Sequence, residues 1–241
     1  YAQRAPQELA ALPGVAWVVG NSHKAEIPRL IAPALAGATP AELSSTAPPA
    51  KIITGDLAAQ RDLLVAPVFA GDTQRTRPIL KIQDGCNYRC AFCVIPEVRG
   101  RSRSLAPELV LEQIRGLVAA GYKEVVLAGI NLGSYGGDLQ PETNLRELTE
   151  RILAETCLPQ LRFSSIEVRD LTPEFIRLLA SSDRIAHHLH VPLQSGSDRI
   201  LRRMQRWYRA EDYAARLLAA AATLPNAGLG ADVMVGFPGE S

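Results

Sequence analysis

At 241 residues and 26.0 kDa, with 47% hydrophobic residues, the chain can bury a sizeable core as one large α/β domain or as a smaller domain with an appendage. Lys and Arg total 26 against 25 Asp and Glu, so no global field marks the chain for nucleic acid or membrane, and any basic surface must be local. No apolar run reaches the about 18 residues a membrane helix needs, and no signal-peptide pattern opens the chain, so the expectation is a soluble cytoplasmic protein.

The first fifty residues predict a small αβ piece. A short helix near Pro6 to Leu12 precedes an apolar strand, Val15 to Val19, closed by Gly20-Asn21, and a helix follows near Lys24 to Leu35. Gly37 to Lys51 is mostly Ala, Thr, Ser and Pro, which is linker chemistry, and residues 51–76 are expected to continue as a linker with a short edge strand around Leu63 to Val68. From residue 77 the texture changes to alternating β-like and helical runs. Ile79 to Gln83 predicts a strand, and Pro107 to Ala120 a helix with Val110, Ile114, Leu117 and Val118 on one face and Gly121 as its stop. Glu124 to Ala128 is the next strand. Asn144 with Glu147 three residues on has capping-box spacing ahead of the stripe Leu145, Leu148, Ile152 and Leu153. Leu161 to Ile166, His188 to Val191 and Leu229 to Val235 complete five strands, with helices beginning at Thr172-Pro173 and running from Glu211 to Leu224. Strands joined by helices imply an α/β fold with a parallel sheet, either doubly wound or a full or partial barrel. Both place chemistry at the carboxyl ends of the strands, and each predicted strand here ends in polar or glycine-rich sequence.

Three of the four cysteines fall within eight positions, Cys86-Asn87-Tyr88-Arg89-Cys90-Ala91-Phe92-Cys93, on that rim. A disulfide framework wants an even number and a secreted context, and fits poorly. A structural zinc site wants four ligands. The remaining candidates, His23, His187, His188, His190 and Cys157, are distant in sequence, although His190 at a strand end can supply a fourth. An iron–sulfur cluster is held by thiolates, and three of them on a four-iron cubane leave one iron open for a small molecule.

The CxxxCxxC spacing after the first strand of a parallel α/β domain, with Phe92 just before the third cysteine, resembles the radical S-adenosylmethionine superfamily. The blocks KIQDGCNYRCAFCVIPEVRGRSRS, LAGINLGSYG, SSIE, HLHVPLQSGSDRILRRM and DVMVGFPGE resemble, in order, those of methylthiotransferases, and GINLGSYG with SSIE is most similar to the branch acting on N6-threonylcarbamoyl-adenosine in tRNA. Sister branches act on isopentenyl-adenosine in tRNA and on an aspartate of a ribosomal protein. The resemblance implies a partial TIM-like (β/α) barrel over residues 77–241, with residues 1–50 as the end of a small amino-terminal α/β domain. It implies a [4Fe-4S] cluster on Cys86, Cys90 and Cys93, S-adenosyl-L-methionine on the open iron, the tRNA anticodon stem-loop as partner and a reductant such as flavodoxin. Family members carry three further cysteines for a second [4Fe-4S] cluster ahead of a segment like Tyr1-Ala2-Gln3, and a carboxy-terminal RNA-binding domain. This sequence has neither, so a chain truncated at both ends is the expectation. The rival reading outside the class is a metal-stabilised RNA-binding module without catalysis.

Individual roles follow from the resemblance together with residue chemistry. Phe92 is expected to stack near the adenine of the cofactor, or to serve as core. Asn131, in the glycine-rich stretch Gly129 to Tyr135, is expected toward the amino and carboxylate groups of S-adenosylmethionine. Glu167, Gln194 and Ser195 are expected as ligand-facing groups on the rim. Asp232, a charge inside an apolar strand, either binds something polar or pairs with a basic residue. Cys157 is expected to pack as a small hydrophobe. Arg99, Arg101 and Arg103 are expected at the site mouth facing tRNA phosphates, and Arg199, Arg202, Arg203, Arg206 and Arg209 recur at helical spacing as a solvated or tRNA-facing stripe.

Overall fold

The computed structural model describes residues 1–37, 50–57, 59–60, 63 and 76–240. The chain forms two compact units, Tyr1–Leu64 with Val94–Arg101, and Val65–Cys93 with Ser102–Ser241.

In the first unit, α1 (Pro6–Ala10) begins with proline, whose missing N–H costs nothing at a helix start. Strand β1 (Trp17–Val19) follows, and a 3-10 turn at Lys24–Glu26 leads into α2 (Ile27–Gly37). Lys51–Ile53, expected within a linker, form strand β2, which pairs in parallel with β1 in the register Val18↔Ile52. The β-branched pair Ile52-Ile53 supplies the strand preference that the flanking Pro and Ala obscure. The edge strand expected over Leu63 to Val68 lies, beyond Leu63, outside the described residues. Helix α3 (Ile95–Arg99) also belongs to this unit, where Val98 O accepts a hydrogen bond from Asn21 Nδ2 at 2.7 Å. The next residue, Gly100, has φ +79°, and a Cβ there would stand 2.7 Å from Leu57 O, so only glycine fits.

The second unit carries the predicted βα alternation. Strand β3 (Ile79–Lys81) stops before Ile82, and β4 (Gln83–Asp84) turns away to pair antiparallel with β5 (Arg103–Ser104), so the single strand expected over 79–83 is two. Helix α4 (Pro107–Ala119) buries Val110, Leu111, Ile114 and Leu117. Strand β6 (Glu124–Ala128) is central, with α5 (Leu145–Glu155), β7 (Gln160–Phe163), α6 (Pro173–Ala180) and β8 (His188–His190) following. Then come α7 (Asp198–Arg203), α8 (Ala210–Thr223) and β9 (Gly228–Gly230). Caps behave as the sequence chemistry dictates: Asn144 Oδ1 accepts from Glu147 N at 3.0 Å and Thr172 Oγ1 from Phe175 N at 3.2 Å. At the far end of α5, Arg184 donates to the carbonyls of Leu153, Thr156 and Leu158 at 2.7, 2.8 and 2.8 Å.

Parallel pairing runs β3-β6-β7, with Leu80↔Leu127 and Leu127↔Phe163 in register, and β8 pairs in parallel with β9. Backbone bonds from Ala186 N to Leu161 O (2.8 Å) and from Ile166 N to His190 O (2.9 Å) link β7 to the β8 segment, so the strands succeed one another in chain order. That is the progression of a (β/α) barrel wall and not of a doubly wound sheet, which reverses direction. Leu80, Ile82, Val125, Leu127, Leu161 and Phe163 fill the core between strands and helices. Strand β9 is shorter than the Leu229 to Val235 expected: after Gly230 the pairing with β8 lapses into a bridge at Gln194↔Val233 and bonds from Leu193 N and Gln194 N to Asp232 O.

Candidate active site

The carboxyl ends of β3, β6, β7 and β8 gather the loops that sequence reasoning singled out. Cys86, Cys90 and Cys93 are free, partly exposed thiols on the loop after β4. That loop is held by Cys93 N to Cys90 O (3.0 Å) and by Ala91 N to Met204 O (3.0 Å). Three donors address its sulfurs. Tyr88 N lies 3.4 Å and Asn131 Nδ2 3.7 Å from Cys86 Sγ, and Arg206 Nη1 lies 3.5 Å from Cys90 Sγ. Burial pushes the Cys86 thiol up, while the Tyr88 and Asn131 donors pull it back toward thiolate. Among the described residues no three His, Cys, Asp or Glu side chains converge into a ready metal site. The donor chemistry nevertheless fits a thiolate-held cluster, since N–H groups directed at sulfur are what anionic ligands require.

Gln83, fully buried, ties the loops together. Its Nε2 is 2.8 Å from Gly85 O and 2.8 Å from Ser102 Oγ, and its Oε1 accepts from Asn131 N at 2.9 Å. Asn131 is thereby placed beside Cys86 at 6% exposure, and its Oδ1 has no partner among the described residues. An orphaned buried acceptor on this rim is where a ligand donor would fit.

Glu167, at the end of the β7 segment, forms an ion pair with Arg206. The Arg206 side chain is 6% exposed, and its guanidinium also lies 5.1 Å from the Tyr208 ring centroid. Burial works against the charge of Arg206, but the Glu167 carboxylate outweighs it and holds the guanidinium protonated. Arg206 is therefore not part of a solvated stripe. Helix α7 stops at Arg203, Gln205 takes φ +58°, and the next helix starts only at Ala210, so the five arginines do not share one helix. Arg199 instead donates to Gly239 O at 2.8 Å.

Arg206, Glu167, Tyr88, Arg169, Trp207 and Tyr208 line a cavity of about 340 Å³. Arg169 sits 5.6 Å from the Tyr88 ring centroid, and Trp207 is 76% exposed. Sequence reasoning passed over Tyr88, Arg169, Trp207 and Tyr208. The one available signal was Arg-Trp-Tyr, two aromatics beside a cation directly after a helix end. Asp170, also unremarked, is packed on Gly133, where a Cβ would meet Asp170 Oδ2 at 1.8 Å.

The other expected residues scatter. Phe92 is 39% exposed and meets Phe237 edge-on at 6.5 Å, so it is neither core nor enclosed. Gln194 has φ +65°, and Ser195 is buried and accepts from Ser197 N at 3.2 Å. The Asp232 side chain is 66% exposed, 3.4 Å from His190 Nε2, and His190 Nδ1 meets Ser165 Oγ at 2.7 Å. Of the two alternatives for Asp232, a basic neighbour is present. Cys157 is exposed and not packed, contrary to expectation. Arg99 and Arg101 belong to the first unit and Arg103 to the second, where Arg103 is only 7% exposed, with Nε and Nη1 unpartnered among the described residues. In this conformation Arg103 offers no exposed surface to phosphates.

Residues 80–241 match the model of the radical SAM superfamily. The chain belongs to that superfamily. Over its full length it is 41% identical to the threonylcarbamoyladenosine tRNA methylthiotransferase MtaB of Bacillus subtilis and aligns at 37% identity with the MtaB of Aquifex aeolicus, covering 51% and 56% of those proteins. Over 165 residues it is 40% identical to the tRNA-2-methylthio-N(6)-dimethylallyladenosine synthase of Clostridium botulinum, covering 68% of this chain and 37% of that one. The chain thus spans about half the length of the curated relatives it matches along its whole length. Among solved structures, the radical S-adenosylmethionine methyltransferase TsrM of Kitasatospora setae superposes with a TM-score of 0.53 at 22% identity, over 68% of this chain and 31% of that one. The radical enzyme OxsB superposes with a TM-score of 0.52 at 19% identity, over 65% and 23%. At such identities these likenesses concern the radical SAM fold alone. No described helix is long and apolar enough to cross a membrane.

Proposed function

We propose that this radical SAM chain is the core of a methylthiotransferase that converts N6-threonylcarbamoyl-adenosine beside the tRNA anticodon to its 2-methylthio derivative. The observation that carries the reading is the set of N–H donors on the Cys86 and Cys90 sulfurs, supplied by Tyr88 of the cysteine loop, Asn131 of the Gly129 to Tyr135 loop and Arg206, in a chain 41% identical to an enzyme of that name. Cys86, Cys90 and Cys93 would hold a [4Fe-4S] cluster. When bound and reduced, the cluster supplies the electron that cleaves S-adenosylmethionine to methionine and a deoxyadenosyl radical. The residues of the chain supply the rest. Asn131, fixed through Gln83, presents its Oδ1, unpartnered among the described residues, as an acceptor for the cofactor's amino group, and Arg206 neutralises Glu167 while steadying Cys90. Phe92, Gln194, Ser195 and Asp232 extend the rim on which the cofactor would lie, and Arg99 and Arg101 are the basic side chains offered to tRNA phosphates. A second cluster and a reductant such as flavodoxin are expected of the whole protein in the cytoplasm.

Anaerobic reconstitution with iron and sulfide analysis tests the chemistry. One four-iron cluster, absent from C86A, C90A or C93A and altered in its electron paramagnetic resonance by S-adenosylmethionine, is expected, whereas zinc or an indifferent cluster would overturn the enzyme reading. Nucleoside analysis of tRNA from a strain lacking the gene tests the substrate. Loss of the 2-methylthio-threonylcarbamoyl nucleoside is expected, and loss of the isopentenyl counterpart alone would move the chain to the sister branch.

A further inference from the structure

The cavity next to Cys90 holds two guanidinium groups in unequal states. Arg206 is committed, its Nη2 to Glu167 and its Nη1 to Cys90 Sγ. Arg169 is exposed and makes no ion pair among the described residues; its guanidinium rests over the Tyr88 ring at 5.6 Å. The aromatic walls, Tyr88, Tyr208 and the 76% exposed Trp207, suit a purine, since base–aromatic stacking is favourable without regard to sequence. A volume of about 340 Å³ is that of a small-ligand site.

We propose that Arg169 is the specificity-determining cation of this cavity, pairing with the carboxylate on the N6 arm of the modified adenine while Trp207 and Tyr88 flank the base. This deepens the proposed function and rests on it. The chemistry of the arms makes the distinction. A threonylcarbamoyl arm ends in a carboxylate, which a planar guanidinium binds through two hydrogen bonds. An isopentenyl arm is a hydrocarbon and would strip water from Arg169 with nothing in return. Arg206 cannot take the role, because Glu167 already neutralises it. The Arg169–Tyr88 contact fixes the direction from which the arm enters, and Tyr88 lies in the loop between Cys86 and Cys90, so the purine would stand beside the thiolates.

The test is fluorescence anisotropy with three anticodon stem-loop RNAs carrying threonylcarbamoyl-adenosine, isopentenyl-adenosine or unmodified adenosine, against the wild-type protein, R169A and R169K. Wild type is expected to prefer the threonylcarbamoyl RNA. R169A should weaken that complex about tenfold, the worth of a charge-assisted hydrogen bond, and leave the other two within about twofold, with R169K in between. Because Arg169 is exposed, R169A is expected to fold, which its unfolding midpoint checks. An equal loss on all three RNAs would make Arg169 a phosphate contact and overturn the inference, as would a preference that survives R169A. A wild-type protein preferring the isopentenyl RNA would instead overturn the substrate reading itself.

Discussion

Replacing Asp170 with asparagine should stabilise the protein at alkaline pH while leaving it unimproved in acid. Asp170 Oδ2 is buried with no hydrogen-bond partner among the described residues, against a Gly133 that has no room for a Cβ. Burial pushes the carboxyl from the ordinary 3.8 up to about 6, with Arg169 and Arg216 opposing and Glu167 reinforcing the rise. Between those values the native state keeps a proton that the unfolded chain has lost, so stability falls as pH rises through the window and is level above it. The contribution of this group is thus fully present below about pH 4 and lost by about pH 6 to 7. A displacement of two pK units corresponds to about 3 kcal/mol at most, and the part of the carboxyl that reaches solvent reduces this to about 2 kcal/mol. Asparagine carries no charge to desolvate. Urea unfolding of wild type and D170N between pH 5 and 8 should show the variant gaining on wild type by about 1 kcal/mol across the range. A stability difference that does not change with pH, or one that moves the other way, would refute the account of Asp170 as a buried acid held near its neutral form.

Two further outcomes are expected. R206M should cost about 2–3 kcal/mol by stranding Glu167, whose side chain is 21% exposed, and E167Q somewhat less; the double variant should recover about 1 kcal/mol relative to the sum, and strict additivity in urea unfolding would show that the pair is not coupled. R184A, which frees three carbonyls at the end of α5, should lower stability by about 2–3 kcal/mol, and a thermal midpoint unchanged within error would mean that water replaces the guanidinium without penalty.

The parts of this molecule legible in its sequence are those set by local chemistry. The Pro107 start and Gly121 stop of α4 and the Asn144 and Thr172 caps are all short-range signals, and each lies where the sequence placed it, while the stripe of α5 holds at Leu145, Leu148 and Ile152 but buries Thr149 in place of the expected Leu153. The cysteine spacing is equally local. What escaped depends on contacts between distant residues. Arg206 reaches Cys90 across 116 positions and Glu167 across 39, and its periodic spacing with other arginines concealed a helix break at Met204-Gln205. Tyr88, Arg169 and Trp207 become a cavity only when three loops meet, and nothing in their immediate neighbours announces it. The three-residue strand Lys51–Ile53 was lost for a different reason, its length being too short for alternation to register.

The fully buried amide of Gln83 has a consequence for how the site breathes. One side chain bonds the carbonyl just before Cys86, the hydroxyls of Ser102 and Ser134 and the amide of Asn131, residues separated by up to 51 positions. Neither loop can lift away alone without leaving that amide unsatisfied in a dry interior, so both open as one cooperative unit or not at all. The three thiols on this rim are already partly open to solvent, so what the buried glutamine governs is how firmly their loop and the Asn131 loop are held to one another, through a side chain that touches no sulfur.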